Sequence, residues 1–550
     1  MRSIFRGQFL TLLLLSVTLI VFVAACDNPT GSDSNGGGSD SSDSDDGSGG
    51  GEGSDNGHGD TGGITGPWAL SVSDTSQRTV FESVTTDDAG NIYAVGVQDG
   101  SGSVSYGNGV STAGPRNGEN AVVVKYNANG EAQWARTPAS APGASVFQAV
   151  AVDGDGNIYA AGYQLTDQIF DYGNGVTVAS AIDNRLIGNM VIVKYNSSGE
   201  AQWARSVTDY SGFNTSGDSS RINDLAVDQD GNVYTVGRIS EGTYTLSEEG
   251  EEEVTVAASG VSDDYQNSMI IKYNSDGVPQ WANAVSVEFE GSTTRDTDFL
   301  AVAVSDQGYI YAAGYQRSRN TYTYGTTPDD DPVSIEGIGI RHIAIVQYDS
   351  DGNALRARTL DDRVSNTMFR ALATGNDGTV YAAGYQQRDG EYTYGPGVSV
   401  AGSAGSPFGV RNAVIVAYNS DLEAQWARST TEGEVNSEFY SIAVDENGTV
   451  HAVGYKRDID PLSFADGLTV EGSSTIENAL IVSYTADGTT QSARTTIAGT
   501  GDTIFRGATT MGGDLIVVGQ QRSTHTYEYA DGLEATGTAN AWPNAVIVAY

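Results

Sequence analysis

Phe147–Asp153 reads FQAVAVD, Asn157–Tyr163 reads NIYAAGY, Asn189–Tyr195 reads NMVIVKY and Gln202–Arg205 reads QWAR. These segments, a to d in chain order, are short and rich in Val, Ile, Tyr and Ala, the residues that suit a pleated, half-buried surface. The turn between a and b is Gly154-Asp155-Gly156, and that between c and d is Asn196-Ser197-Ser198-Gly199. Asn and Gly supply the positive φ that tight hairpins need. The four segments therefore predict an antiparallel meander of four short strands.

The pattern recurs along the chain. A glycine closes segment b at Gly96, Gly162, Gly237, Gly314, Gly384, Gly454 and Gly519. A tyrosine closes segment c at Tyr126, Tyr195, Tyr273, Tyr348, Tyr418, Tyr484 and Tyr550. Self-similarity of this kind marks a repeat architecture, in which one supersecondary unit buries its faces against its neighbours. Segments a and b are Ala- and Gly-rich, whereas c and d carry Tyr and Trp. That gradient suits blades that converge on an axis and widen outward. Tryptophan occupies segment d at Trp68, Trp134, Trp203, Trp281 and Trp426; Arg356 and Ser492 replace it in two copies, where looser packing is expected.

Segment d follows segment c in six copies. The seventh reaches Tyr550 at the end of segment c, while Pro67–Leu70 reads as a segment d that precedes the first segment a. The expected fold is all-β: a seven-bladed β-propeller of four-stranded antiparallel blades, closed by the N-terminal strand joining the last blade. Such closure removes edges that would otherwise pair with other chains. The motif FxAVAVDxxGNIYAAG…NAVIVKYNxxGEAQWAR resembles the bacterial seven-bladed β-propeller repeat family of secreted and surface proteins. The resemblance covers Trp68–Tyr550. It implies a fold and no shared catalytic residues, and this chain departs from the pattern in its longer b–c insertions.

Ahead of the repeats, Arg2 and Arg6 precede an apolar run from Phe9 to Val23 that ends Val23-Ala24-Ala25-Cys26. The run has signal-peptide length and is short for a membrane span. Its end resembles the bacterial lipobox, which implies a diacylglyceryl group on Cys26, the only cysteine, and cleavage before it. Several acyl chains together give stable anchoring. Residues 27–66 are Gly, Ser and Asp with almost nothing apolar, a composition that cannot offset the entropy of ordering. They predict a flexible tether of roughly 35 Å root-mean-square span. The expected organisation is thus 1–25 signal peptide, 26–66 lipidated cysteine and tether, and 67–550 propeller. The expected location is a bacterial cell envelope, periplasmic or at the surface, on a membrane held through the N-terminal lipid.

The formal charge is −42, and loss of Arg2 and Arg6 with the leader makes it −44. A field of that sign repels nucleic acid and anionic lipid. With one cysteine no internal disulfide can form. No metal-like histidine pair, phosphate loop or nucleophile triad stands out, so no cofactor and no metal are expected. Turns such as Asp153-Gly154-Asp155-Gly156-Asn157 hint at calcium, but lack the distal carboxylate at fixed spacing; they read as hairpin turns.

Function is expected on the face bearing the long d–a and b–c connections, since binding residues favour loops on a rigid scaffold. The residue after the phenylalanine that opens segment a is polar or large in most copies: Glu82, Gln148, Arg370, Tyr440 and Arg506, with Leu300 as an exception. These would ring the channel mouth. Two residues after the segment b glycine stand Gln164, Gln316 and Gln386, among others; they read either as blade-to-blade hydrogen-bonding groups or as part of a polar ligand funnel. The expected function is a monomeric, non-catalytic binding or scaffold module that takes a protein or glycan ligand. The alternative is a carbohydrate-active hydrolase or lyase with acidic and arginine residues in the funnel.

Overall fold

The computed structural model describes residues 66–72, 78–182, 188–212, 219–258, 266–288, 296–361, 365–403, 409–522, 524–537 and 543–550. Cys26, the leader and the tether up to residue 65 lie outside them. Among the described residues the protein is all-β apart from one short 3₁₀ turn at Ala465–Gly467. Seven antiparallel sheets have four strands each, in the spatial order a-b-c-d. In the first sheet these are Thr79–Thr86, Ile92–Asp99, Glu119–Tyr126 and Ala132–Arg136. The architecture is propeller-like: strand a of each sheet lies against strand a of the next, and strand a of the seventh lies against that of the first.

The seventh sheet draws on both ends of the chain. Its strands a to c are Thr503–Met511, Asp514–Arg522 and Pro543–Ala549, and its fourth strand is Trp68–Leu70. The register pairs Trp68 with Ala549 and Leu70 with Ile547. Leu70, Ile516, Val518 and Ile547 share one apolar cluster with Phe81, Ile92 and Val122 of the first sheet.

One irregularity repeats in every sheet. Strand a bulges after its third residue, so that residues 82, 148, 223, 300, 370, 440 and 506 drop out of the ladder with strand b. The cause is the segment b glycine. A methyl group at Gly96 would collide with the carbonyl oxygen of Val80, and the other six glycines stand in the same relation to strand a. The bulged backbone presses so close that only a residue without Cβ fits opposite it.

The sheets are joined by two kinds of seam. The Ser or Thr two residues before the strand a phenylalanine position accepts a backbone N–H from strand c of the preceding sheet: Ser145 from Ala121, Ser220 from Met190, Thr297 from Ser268, Thr367 from Ile343, Ser437 from Ala413 and Thr503 from Ala479. At the outer edge, Trp134 lies across the next sheet's c–d turn. A Cβ at Gly199 would sit 2.7 Å from its ring, and its indole donates to Ser197 O at 3.1 Å. Trp203, Trp281 and Trp426 repeat both contacts on Gly277, Gly352 and Gly488.

The expectation of looser packing at Arg356 is corrected. The turn it faces carries Leu422 where other copies have glycine, with φ +57°. Leu422 is buried in the apolar cluster of Tyr311, Val416 and Tyr418. Arg356 instead pairs with Asp421 at 2.8 Å and donates to Gln347 at 2.8 Å.

Deleting Pro67–Leu70 removes a buried leucine and a strand shared by the first and last sheets. It should destabilise the whole β region in one transition by at least about 3 kcal/mol. An unchanged melting temperature would show that this strand does not hold the sheets together.

Candidate functional site

The bulge decides what faces the axis. A residue squeezed out of the ladder is re-aimed, which is why bulges recur beside binding sites. Glu82, Gln148, Asn223, Leu300, Arg370, Tyr440 and Arg506 all line one outer cavity of about 560 Å³. The same seven line a deeper cavity of about 450 Å³, walled by small strand a residues such as Ala151, Ala226 and Ala371. They form a ring between two chambers. Six of its members follow the sequence expectation in position; Asn223 is the seventh, hidden because Ile222 stands where other copies have phenylalanine.

Gln164, Gln316 and Gln386 lie elsewhere. Each is fully buried and accepts the hydroxyl of a tyrosine in its own b–c hairpin: Tyr172 at 3.0 Å, Tyr324 at 2.6 Å and Tyr394 at 2.9 Å. The second arm of each hairpin packs on strand d, at the outer edge of the sheet. The aromatic hairpins therefore cover the edge strand and stay out of the chamber. Lys456 takes the glutamine's place in the sixth sheet, where burial lowers its pKa to about 8. It donates to the carbonyls of Asp458 and Asp460. Two acids of the third sheet's b–c connection are likewise engaged at the edge, since Glu248 and Glu251 pair with Arg205 of the preceding sheet's strand d. The carboxylate of Asp153 accepts from Asp155 N, Asn157 and Tyr159 within its own turn.

Charged residues that the motif did not single out line the outer chamber or pair just behind its lining. Arg221, Asp298 and Glu438 precede the strand a phenylalanine position, and Arg238 follows a strand b glycine. Arg341 and Arg411 lie near the start of strand c. Arg221, Asp298, Glu438 and Arg238 each stand where most copies have an apolar or neutral residue, and that departure was the available signal; the position of Arg341 and Arg411 is also charged at Glu119 and Glu477. Glu438 is fully buried and accepts from both Arg370 and Arg411, the latter at 2.6 Å. Burial disfavours the charge on Arg370, but Glu438 and Tyr440 outweigh it and hold its pKa above the ordinary value. Asp298 pairs with Arg238 at 3.1 Å and accepts from Asn223 at 2.7 Å. Arg221 donates to Gln148.

Guanidinium over tyrosine is the recurring motif of the wall. Arg221 lies 4.8 Å from the Tyr163 ring centre, Arg341 4.3 Å from Tyr315, and Arg411 4.5 Å from Tyr385. Arg370 and Arg506, from the sheets on either side, share Tyr440 at 5.0 and 5.1 Å. Desolvated pairs of this kind are worth up to about 2 kcal/mol each. Part of the lining is apolar, where Leu300 and Met368 pack beside Tyr315.

In the deeper chamber Asp224 stands where other copies have Ala, Ser or Gly. It accepts the N–H of Val302 in the next sheet and that of Leu225, both at 2.9 Å. Burial raises its pKa to about 7 against those two hydrogen bonds. Burial likewise lifts Asp298 to about 6 despite Arg238. A carboxyl whose pKa is higher folded than unfolded stabilises the fold below about pH 4 and loses that contribution as pH rises through the folded value. Asp224→Asn should therefore gain melting temperature relative to the parent as pH goes from 4 to 8. A gap between the two proteins that does not change with pH would contradict the assignment.

No protein-family model matches the chain. A stretch of 355 residues is 23% identical to an uncharacterized WD repeat-containing protein of Acanthamoeba polyphaga mimivirus, covering 57% of this chain and 24% of that relative. The chain thus spans about a quarter of that relative's length. A protein of unknown function from Dyadobacter fermentans aligns over 88% of this chain and 97% of its own, at 10% identity and a TM-score of 0.35. A eukaryotic initiation factor structure aligns over 77% and 89%, at 8% identity and a TM-score of 0.25. WD repeats build four-stranded propeller blades. The distant WD repeat-containing relative and the four-stranded antiparallel sheets together fit a β-propeller-type repeat.

Proposed function

We propose that this chain is a bacterial cell-envelope lipoprotein that displays a closed, seven-bladed β-propeller as a non-catalytic binding module, with the ringed axial funnel as its ligand site. The observation that carries the reading is the bulge: seven copies of one distortion direct seven side chains of six kinds into one cavity. A purely structural repeat has no need for different residues at that position. Blade count and closure are supported by seven four-stranded sheets, the last completed by Trp68–Leu70. The anchor rests on the Val23–Cys26 lipobox and the polar tether. The carbohydrate-active alternative draws on Glu82, Asp296 and Asp298 in the chamber, but Asp298 is already committed to Arg238 and Asn223.

Leu300 projects into the funnel without a polar role, so Leu300→Trp would fill it. Glycan and peptide arrays probed with the full chain should give ligands that bind the parent and not this variant, at equal melting temperature. Hits indifferent to Leu300→Trp would place binding outside the funnel, and turnover of a glycan would overturn the non-catalytic reading. Cys26→Ser should move the chain from the membrane to the soluble fraction; continued membrane association would refute the anchor.

A further inference from the structure

We infer that the funnel takes an acidic saccharide, a ligand with a sugar-ring face and a uronate-type carboxylate that Arg506 and Arg341 receive. The inference rests on the funnel reading above. Six guanidiniums stand in or directly behind the outer wall: Arg221, Arg238, Arg341, Arg370, Arg411 and Arg506. Four carboxylates face them: Glu82, Asp296, Asp298 and Glu438. This local excess of positive charge sits inside a chain of formal charge −42.

Three of the six have a carboxylate, Arg221 donates to Gln148 instead, and two guanidiniums remain uncompensated. Arg370 and Arg411 share Glu438, and Arg238 has Asp298. Among the described residues Arg341 and Arg506 meet no carboxylate within ion-pair distance. The Nε of each is buried without a hydrogen-bond partner. A buried guanidinium donor left unpaired is costly, and a carboxylate supplies the planar, two-point acceptor that guanidinium geometry matches. Both guanidiniums already lie over a tyrosine ring, Arg341 on Tyr315 and Arg506 on Tyr440. Binding therefore need not order two flexible side chains.

The rest of the chamber selects the body of the ligand. Its volume of about 560 Å³ falls within the usual range for small-molecule sites and suits one or two sugar rings. The apolar part of the lining, Leu300 and Met368, offers a surface for the C–H face of a sugar, which a bare inorganic anion cannot use. A long polyanion is disfavoured because everything outside the chamber repels it.

The test is calorimetric titration of the full chain with digalacturonate, its neutral counterpart galactobiose, sodium sulfate and sodium phosphate. Digalacturonate should bind at least tenfold more tightly than galactobiose, and more weakly as NaCl rises. Arg506→Gln and Arg341→Gln should each weaken it tenfold or more; each also gives up a guanidinium–tyrosine contact, so both variants are titrated well below their own melting transitions. Sulfate or phosphate binding as tightly as digalacturonate would overturn the saccharide assignment. Equal affinity for the two sugars, lost in Leu300→Trp, would overturn the anionic assignment while leaving the funnel reading intact. Binding of digalacturonate unchanged in both arginine variants, or no binding at all, would overturn the inference. The funnel reading itself falls only if the array hits ignore Leu300→Trp.

Discussion

A backbone approach too close for a Cβ organises this protein. In each of the seven sheets, a strand b glycine faces the carbonyl of the residue before the strand a phenylalanine position, and the following residue leaves the ladder. Two consequences follow from that single contact. The inner strands pack at the short distances a crowded axis demands, and one side chain per sheet is released from the core and turned to the axis. The scaffold and the candidate site are therefore the same feature seen from two sides. A substitution that relieved the crowding would also lose the aim.

The outer edge obeys a complementary rule. Where a c–d turn carries glycine, the preceding sheet in most cases lays a tryptophan on it; where the turn carries Leu422, the preceding sheet offers Arg356. Trp68 is the exception, since Leu70 reaches Gly130 in its stead. The two residue choices are made on different sheets some sixty or more positions apart, yet each makes sense only with the other. The apolar cores likewise run between sheets rather than within them, so that each sheet is stable chiefly in the company of its neighbours.

Much of the fold was legible because strand periodicity, turn glycines and residue size all pointed to one repeat. Even the pairing of Pro67–Leu70 with the last sheet could be read, from a strand without a copy. The ring residues were legible in position through their place after phenylalanine, except Asn223, where the phenylalanine is missing. Three things were not. The glutamines after the strand b glycine are polar and regularly spaced, which suggested a funnel, but pairing with a tyrosine eight residues downstream is a contact that spacing alone does not reveal. Arg356 looked like a defect because its compensation, Leu422, lies in another repeat. Arg221, Asp298 and Glu438 sit at a position where most copies are apolar, and Arg341 and Arg411 at one where the copies disagree in sign and polarity; a motif built from agreement between copies discards such departures, and in this protein the departures carry the chemistry.

The central claim, that the glycine contact both permits the bulge and aims the ring, can be tested by adding one methyl group. Gly384 faces the Met368 carbonyl beside Arg370, whereas Gly154, in an a–b turn, has nothing within 4 Å of where a Cβ would be. Thermal melts of Gly384→Ala and Gly154→Ala against the parent make the comparison direct. Overpacking of a tight site costs about 1–3 kcal/mol, so Gly384→Ala should melt several degrees lower while Gly154→Ala melts with the parent. If Gly384→Ala melts with the parent as well, the close approach is not what shapes the ring, and the account fails at its root.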